Sequence, residues 1–289
     1  MTPAQETPPA AVAGRVAAAF GDVPQVCAVA LAGSQFAGSP DDRSDIDLYV
    51  YGADPIPLAD RIAIADRFAT RREVGNAIWE PGDEWIDVET GVHVDVMYRT
   101  PVWIEEQLAR VLVRHEASVG YSTCFWHNVF HSTALFDRGE WYRDLQRRAD
   151  RPYPEALKRA IVAKNHPLLR KGLSSYLHQI ERAVRRGDSV SIQHRVTALL
   201  ASYFDILFAV NALPHPGEKG LLQFALTRCA TLPTAIEAQV NAVLALAARP
   251  ASAAVVERVD ALVNGLDRVL VGEGLLALLT IDRSETEKG

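Results

Sequence analysis

The apolar positions of this chain alternate between a helical period and a strand period in its first half, then keep the helical one. Residues 9–20 are Ala-rich with apolar spacing near 3.6, which predicts a helix stopped by Gly21-Asp22-Val23-Pro24. Residues 26–32 form a short, nearly all-apolar run, the pattern of a strand covered on both faces. Residues 45–51 predict the next strand, closed by Gly52-Ala53-Asp54-Pro55. Residues 58–72 predict a helix with Leu58, Ile62, Ile64, Ala65 and Phe68 as its apolar positions. Further β signal runs through 74–80 and 85–98, where 85–88 and 92–98 flank Glu89-Thr90-Gly91 as the arms of a hairpin. Thr100-Pro101 opens a helix reaching about His115, with Pro at its first position. Residues 133–136 add an edge strand that ends at Asp137-Arg138-Gly139.

From about residue 140 the strand period disappears. Residues 155–186 (broken or kinked at Pro167), 189–212, 219–229, 233–248 and 252–279 read as helices separated by Gly, Pro or Asp. Asp188 is placed to cap the helix whose stripe is Val196, Leu199, Leu200, Tyr203, Leu207 and Phe208. Residues 284–289 form a charged, fraying tail. The expected fold class is α+β. A mixed β-sheet flanked by helices occupies residues 1–140, and an all-α helical bundle occupies residues 141–289.

Composition narrows the partners. The 289 residues are 48% hydrophobic and 23% charged, enough for two domains with a sizeable core. A formal net charge of −6 provides no basic field for a nucleic-acid backbone and argues against nucleic acid as a partner. Cys27, Cys124 and Cys229 are far apart, without a CxxC pair, and read as reduced, buried thiols. No apolar run reaches membrane-span length and the N-terminus lacks the basic region of a signal peptide, so the expected location is cytoplasmic, as monomer or homodimer. His127 and His131, one turn apart, lack the partners of a metal motif, and the tryptophans read as core. Neither Gly-x-Ser-x-Gly nor a Walker-type Gly-Lys-Ser/Thr is present.

The chemistry concentrates in Gly33-Ser34, a ten-residue spacer, and Asp45-Ile46-Asp47. Strand alternation turns Asp45 and Asp47 to one face, where like charges repel unless a cation offsets them. Their hard oxygens suit Mg²⁺. Gly33 allows close backbone approach to a phosphate, and Ser34 adds a hydroxyl and an exposed amide. Asp95 follows on a later strand that turns His93, Asp95 and Met97 to one face. Three carboxylates around one or two Mg²⁺ ions meet the needs of phosphoryl or nucleotidyl transfer. Lys164 and Lys219, each beside helix-breaking residues, are candidate phosphate contacts, with Lys219 at a helix start behind Pro216-Gly217. Asp87 and Glu89 read as solvated turn acids. Glu80, Asp83 and Glu84 read as an exposed acidic loop that could attract a cationic acceptor.

The motif Gly33-Ser34…Asp45-Ile46-Asp47-Leu48 with a later Asp95 resembles the nucleotidyltransferase superfamily of DNA polymerase β type. The helical second half resembles the antibiotic branch of that superfamily, the aminoglycoside and lincosamide adenylyltransferases. Trp85-Ile86-Asp87, His93-Val94-Asp95-Val96 and Pro216-Gly217-Glu218-Lys219 resemble a less characterised bacterial branch. The resemblance implies that Asp45 and Asp47 bind Mg²⁺ and the phosphates of ATP or another NTP, and that Gly33 and Ser34 hold the triphosphate. Asp95 would be metal ligand, general base on an acceptor hydroxyl, or both. It also implies a nucleotide lying between the domains and a small-molecule acceptor, an antibiotic among the possibilities. Two alternatives stay open: a protein or tRNA adenylyltransferase, and a non-catalytic nucleotide-binding or antitoxin-like module.

Overall fold

The computed structural model describes residues 8–32, 45–77, 80–249 and 253–276. The chain divides into two compact units, one of Met1–Arg114 with Thr123–Pro152 and one of His115–Ser122 with Tyr153–Gly289. The fold is α+β.

In the first unit, helices α1 (Pro8–Gly21) and α2 (Leu58–Phe68) accompany a mixed six-stranded sheet. Its strands are β1 (Val26–Ala32), β2 (Ile46–Gly52), β3 (Ala69–Asn76), β4 (Gly82–Asp87), β5 (His93–Arg99) and β6 (Thr133–Asp137). Their order is β3-β4-β5-β2-β1-β6, with β2 and β5 parallel and the other pairs antiparallel. Helices α3 (Pro101–Leu112), α4 (Cys124–His131) and α5 (Trp141–Ala149) complete the unit.

One sheet face is apolar. Val29, Leu48, Val50, Trp85, Val94 and Val96 pack there with Val12, Val16 and Phe20 of α1 and Ile64, Ala65 and Phe68 of α2. Each such side chain contributes about 1.5–3 kcal/mol by leaving water. That burial also fixes the register, because a one-residue slip would turn Asp47 and Asp95 into this layer and Leu48 and Val96 out of it. On the opposite face, Ala30 and Ala28 of β1 pair with Tyr49 and Tyr51 of β2. Tyr51 packs on Trp141 and Tyr142 of α5, and Asn128 of α4 donates to the Tyr49 hydroxyl at 3.2 Å.

Four expectations are corrected. The helix predicted over 58–72 stops at Phe68, and Ala69-Thr70-Arg71-Arg72 opens edge strand β3. The acidic group Glu80, Asp83, Glu84 is not a solvated loop, since Asp83 and Glu84 belong to β4 and Asp83 is fully buried. Asp87 is buried too, and its Oδ1 accepts from the amides of Glu89 and Thr90 and the Thr90 hydroxyl, closing the hairpin turn. The three cysteines are free but only half-buried.

The second unit is helical: α6 (Glu155–Arg170), α7 (Tyr176–Arg185), α8 (Ser189–Val210), α9 (Leu221–Arg228), α10 (Ile236–Ala247) and α11 (Ala254–Gly272). Pro167 does not break the predicted 155–186 helix. α6 runs through it to Arg170, and the interruption falls at 171–175, where Gly172 has φ +107. Asp188 caps α8 as expected, accepting from the Ser191 amide at 3.0 Å. Among the described residues, no helix is long and apolar enough to cross a membrane.

Segment 115–122 is fastened onto this unit by buried polar groups. Gly120 donates to Asn165 Oδ1 at 2.9 Å, and a Cβ there would lie 3.1 Å from that of Ala201. Ser122 donates through its amide and hydroxyl to the two Asp205 oxygens at 3.0 and 2.6 Å. Burial nevertheless pushes the Asp205 carboxyl up to about 6, with the Ser122 bonds opposing it. Folding therefore favours the protonated form. That stabilisation is complete below the ordinary carboxylate pKa of about 4 and is lost as pH rises through about 6. Relative to Asp205→Asn, the parent should lose about 3 kcal/mol between those pH values, a change read by urea unfolding of both proteins across the range. Parallel stability–pH curves would contradict this.

Candidate active site

The backbone pairing of β1, β2, β5, β4 and β3 lines up one row across the sheet. Ala32 lies opposite Asp47, Asp47 opposite Asp95, Asp95 opposite Glu84, and Glu84 opposite Glu73. Paired residues share a face, and neighbouring strands stand about 4.8 Å apart. Four acids thus occupy four consecutive strands, on the face away from the apolar layer. Asp47, Asp95 and Glu84 are half-buried, while Glu73 is exposed. Asn76 donates to Glu84 Oε1 at 3.0 Å, and His93 Nε2 lies 3.6 Å from the other Glu84 oxygen.

Burial, then the like charges of Asp47 and Glu84, push the Asp95 carboxyl up to about 6, with His93 acting in the opposite sense. Such a carboxyl gives up its proton just below neutrality and can take one back from a bound hydroxyl. Asp47→Asn removes the largest of the like-charge contributions, which come from Asp47, Glu84 and Glu80. The Asp95 titration midpoint should therefore move down toward the ordinary carboxylate value, as followed by carboxyl ¹³C NMR. An unmoved midpoint would show that the two acids do not sense each other.

The other predicted residues are distributed as follows. Asp45 is exposed, one residue before β2, and Gly33 and Ser34 lie outside the described residues. Lys164 is exposed on α6. Lys219 is exposed two residues before α9, whose N-cap is Gly220, and lines a largely apolar cavity of about 490 Å³ with Leu222, Val240 and Leu244. Among the described residues, no three His, Cys, Asp or Glu side chains form a group able to hold a metal by themselves. Glu84 was not among the sequence candidates for this face. The hairpin carried the signal, since a turn over 88–91 pairs Ile86 with His93 and so Glu84 with Asp95.

No family model and no curated protein matches the chain. Among solved structures, a nucleotidyltransferase-like protein from Exiguobacterium sibiricum 255-15 aligns at 14% identity and a TM-score of 0.42. The alignment covers 90% of this chain and 74% of the other.

Proposed function

We propose that this chain transfers a nucleoside monophosphate from ATP or another NTP to a hydroxyl of a small molecule and releases pyrophosphate, with Mg²⁺ as cofactor. The observation that supports the reading is the Asp47–Asp95 pair, in register on adjacent parallel strands and turned to a face that the core does not use. Two half-buried like charges in that position lower stability, and a divalent cation would offset them. The donor set fits Mg²⁺, which is commonly held by one or two carboxylates plus substrate phosphates and water rather than by an all-protein cage. Asp47 and Asp95, with Asp45 before the strand, would hold it. Once bound, it would supply charge neutralisation and orientation for the triphosphate.

The chain's own groups divide the remaining work. Asp95 accepts the proton of the acceptor hydroxyl, a role its raised proton affinity suits. Gly33 and Ser34 follow directly in sequence on Ala32, which pairs with Asp47, and are proposed to hold the triphosphate. Lys219 and Lys164 are proposed phosphate contacts. An antibiotic is one acceptor class to test.

The test incubates the full chain with Mg²⁺, heavy-isotope ATP, an antibiotic panel and a cell extract, and reads nucleotidylated products by mass spectrometry alongside pyrophosphate release. A labelled small-molecule product is expected. A labelled protein would redirect the reading to a macromolecular acceptor. Stabilisation by Mg-ATP with no product would overturn it in favour of a binding module.

A further inference from the structure

Segment 115–122 follows α3 and precedes α4 in sequence, yet it groups by its contacts with the second unit. It carries neither helix nor strand. Three of its eight residues hold φ in the left-handed region: His115 at +56, Gly120 at +71 and Tyr121 at +53. Glycine enters that region freely, whereas a side chain there strains the backbone. An irregular segment strained in this way stays closed only while its contacts outweigh the strain.

Those contacts converge on one carboxylate. Ser122 donates twice to Asp205, and Asn165 Nδ2 donates to Asp205 Oδ2 at 3.3 Å and to the Ser118 carbonyl at 3.0 Å. Asp205 is 1% exposed, and no cation reaches it. Its partners are the neutral Ser122 and Asn165, and no charged side chain on α8 or on the elements packed against it (α6, α7, α9, α10 and α11) bonds to it. His166 and Arg170 of α6 are engaged with Asp267 of α11. His178 of α7 meets the Gly172 carbonyl, and His215 packs on the rings of Tyr121 and Phe208. Arg228 of α9, Glu237 of α10 and Glu116 of the segment itself are exposed.

A buried carboxylate without a cation is costly when ionised. Opening the segment breaks both Ser122 bonds and admits water, so the open form carries the charge at an ordinary carboxylate affinity. Proton release from Asp205 therefore favours opening, and proton uptake favours closure. Tyr121 also forms part of the wall of the apolar cavity shared with Ala201, Phe204 and Val240, so opening changes that cavity.

We propose that segment 115–122 is a latch that opens locally, without unfolding of the second unit, and that the charge state of Asp205 sets how often it opens. The latch uses none of the residues assigned to nucleotidyl transfer.

Hydrogen exchange on the full chain between pH 4 and about 7.5, read by mass spectrometry and corrected for the intrinsic effect of pH, tests this. A peptide covering 115–122 should be less protected than one from the middle of α8 at every pH, because local opening needs less than unfolding of the unit. Its protection should fall about fiftyfold from pH 4 to pH 7, the factor set by a carboxyl raised from 3.8 to about 6. In Asp205→Asn, which does not ionise, the segment should keep one protection across the range. Ser122→Ala serves if that variant does not fold. It removes a donor that favours the charged form, and should deepen the fall severalfold beyond that of the parent. Equal protection of the segment and of α8 would mean that the segment opens only with the whole unit, and overturns the proposal. So does segment protection that is constant with pH in the parent, or a pH dependence that neither variant changes.

Discussion

Asp47→Asn and Asp95→Asn should each reduce nucleotidyl transfer by roughly a hundred- to ten-thousandfold, with circular dichroism and the thermal midpoint unchanged or improved. The two effects are expected to move apart for one physical reason. Asp47 and Asp95 face each other across parallel strands as like charges, on a face where the core does not need them. Neutralising either one relieves repulsion, and the amide keeps the shape of the side chain. A structural acid behaves in the opposite way, losing stability when its charge is removed. Steady-state kcat/KM from pyrophosphate release, measured beside urea unfolding, separates the two cases. Near-normal turnover in either variant would exclude this site.

Asp83→Ala should destabilise the first unit by about 3–5 kcal/mol, which urea unfolding would read as a lower midpoint at unchanged slope. Asp83 precedes Glu84 on β4, so strand alternation turns it to the other face, into the apolar layer. There its carboxylate accepts from Arg61 Nε at 2.9 Å, from Arg61 Nη2, from the Tyr98 hydroxyl and from the Gly75 amide at 2.8 Å. The Arg61 guanidinium also lies 4.2 Å from the centre of the Tyr98 ring. Alanine would strand a guanidinium whose side chain is 15% exposed and leave the Gly75 amide without its acceptor. Replacing both partners, as Asp83→Leu with Arg61→Met, should recover much of the loss, because no charge is then left buried alone. A loss below about 1 kcal/mol for Asp83→Ala would place this acid with ordinary surface pairs.

The elements that the apolar pattern marked are those whose buried positions recur regularly or, in β1 and β2, run almost unbroken: α1, β1, β2, the β4–β5 hairpin, α3 and the long helices of the second unit. The first part of β3, ahead of the β signal that starts at 74, escaped because it is an edge strand. Thr70, Arg71, Arg72 and Glu73 are all exposed, so no alternation betrays them, and their charges suit a strand that must not pair further. α4 escaped because Cys124-Phe125-Trp126-His127 is poor in helix formers and its helix is only eight residues long. The break expected at Pro167 falls later, since α6 continues through it and Gly172 marks the following interruption.

For the candidate site the division runs along the difference between local and non-local information. Side-chain alternation is a property of each strand alone, so the facing of His93 with Asp95 was legible in the sequence, whereas Asp45 lies one residue before β2. The α+β class was legible too, since it follows from where the period changes. Which acids meet across the sheet was not legible. The pairing of β2 with β5 joins residues far apart in the chain, and its register is set by Leu48, Val50, Val94 and Val96 burying the opposite face. That same constraint sent Asp83 inward to Arg61 and brought Glu84 into line with Asp95. The sequence by itself determined which residues could carry charge on one face of a strand; only tertiary packing, acting through the apolar face, decided which of those charges stand side by side.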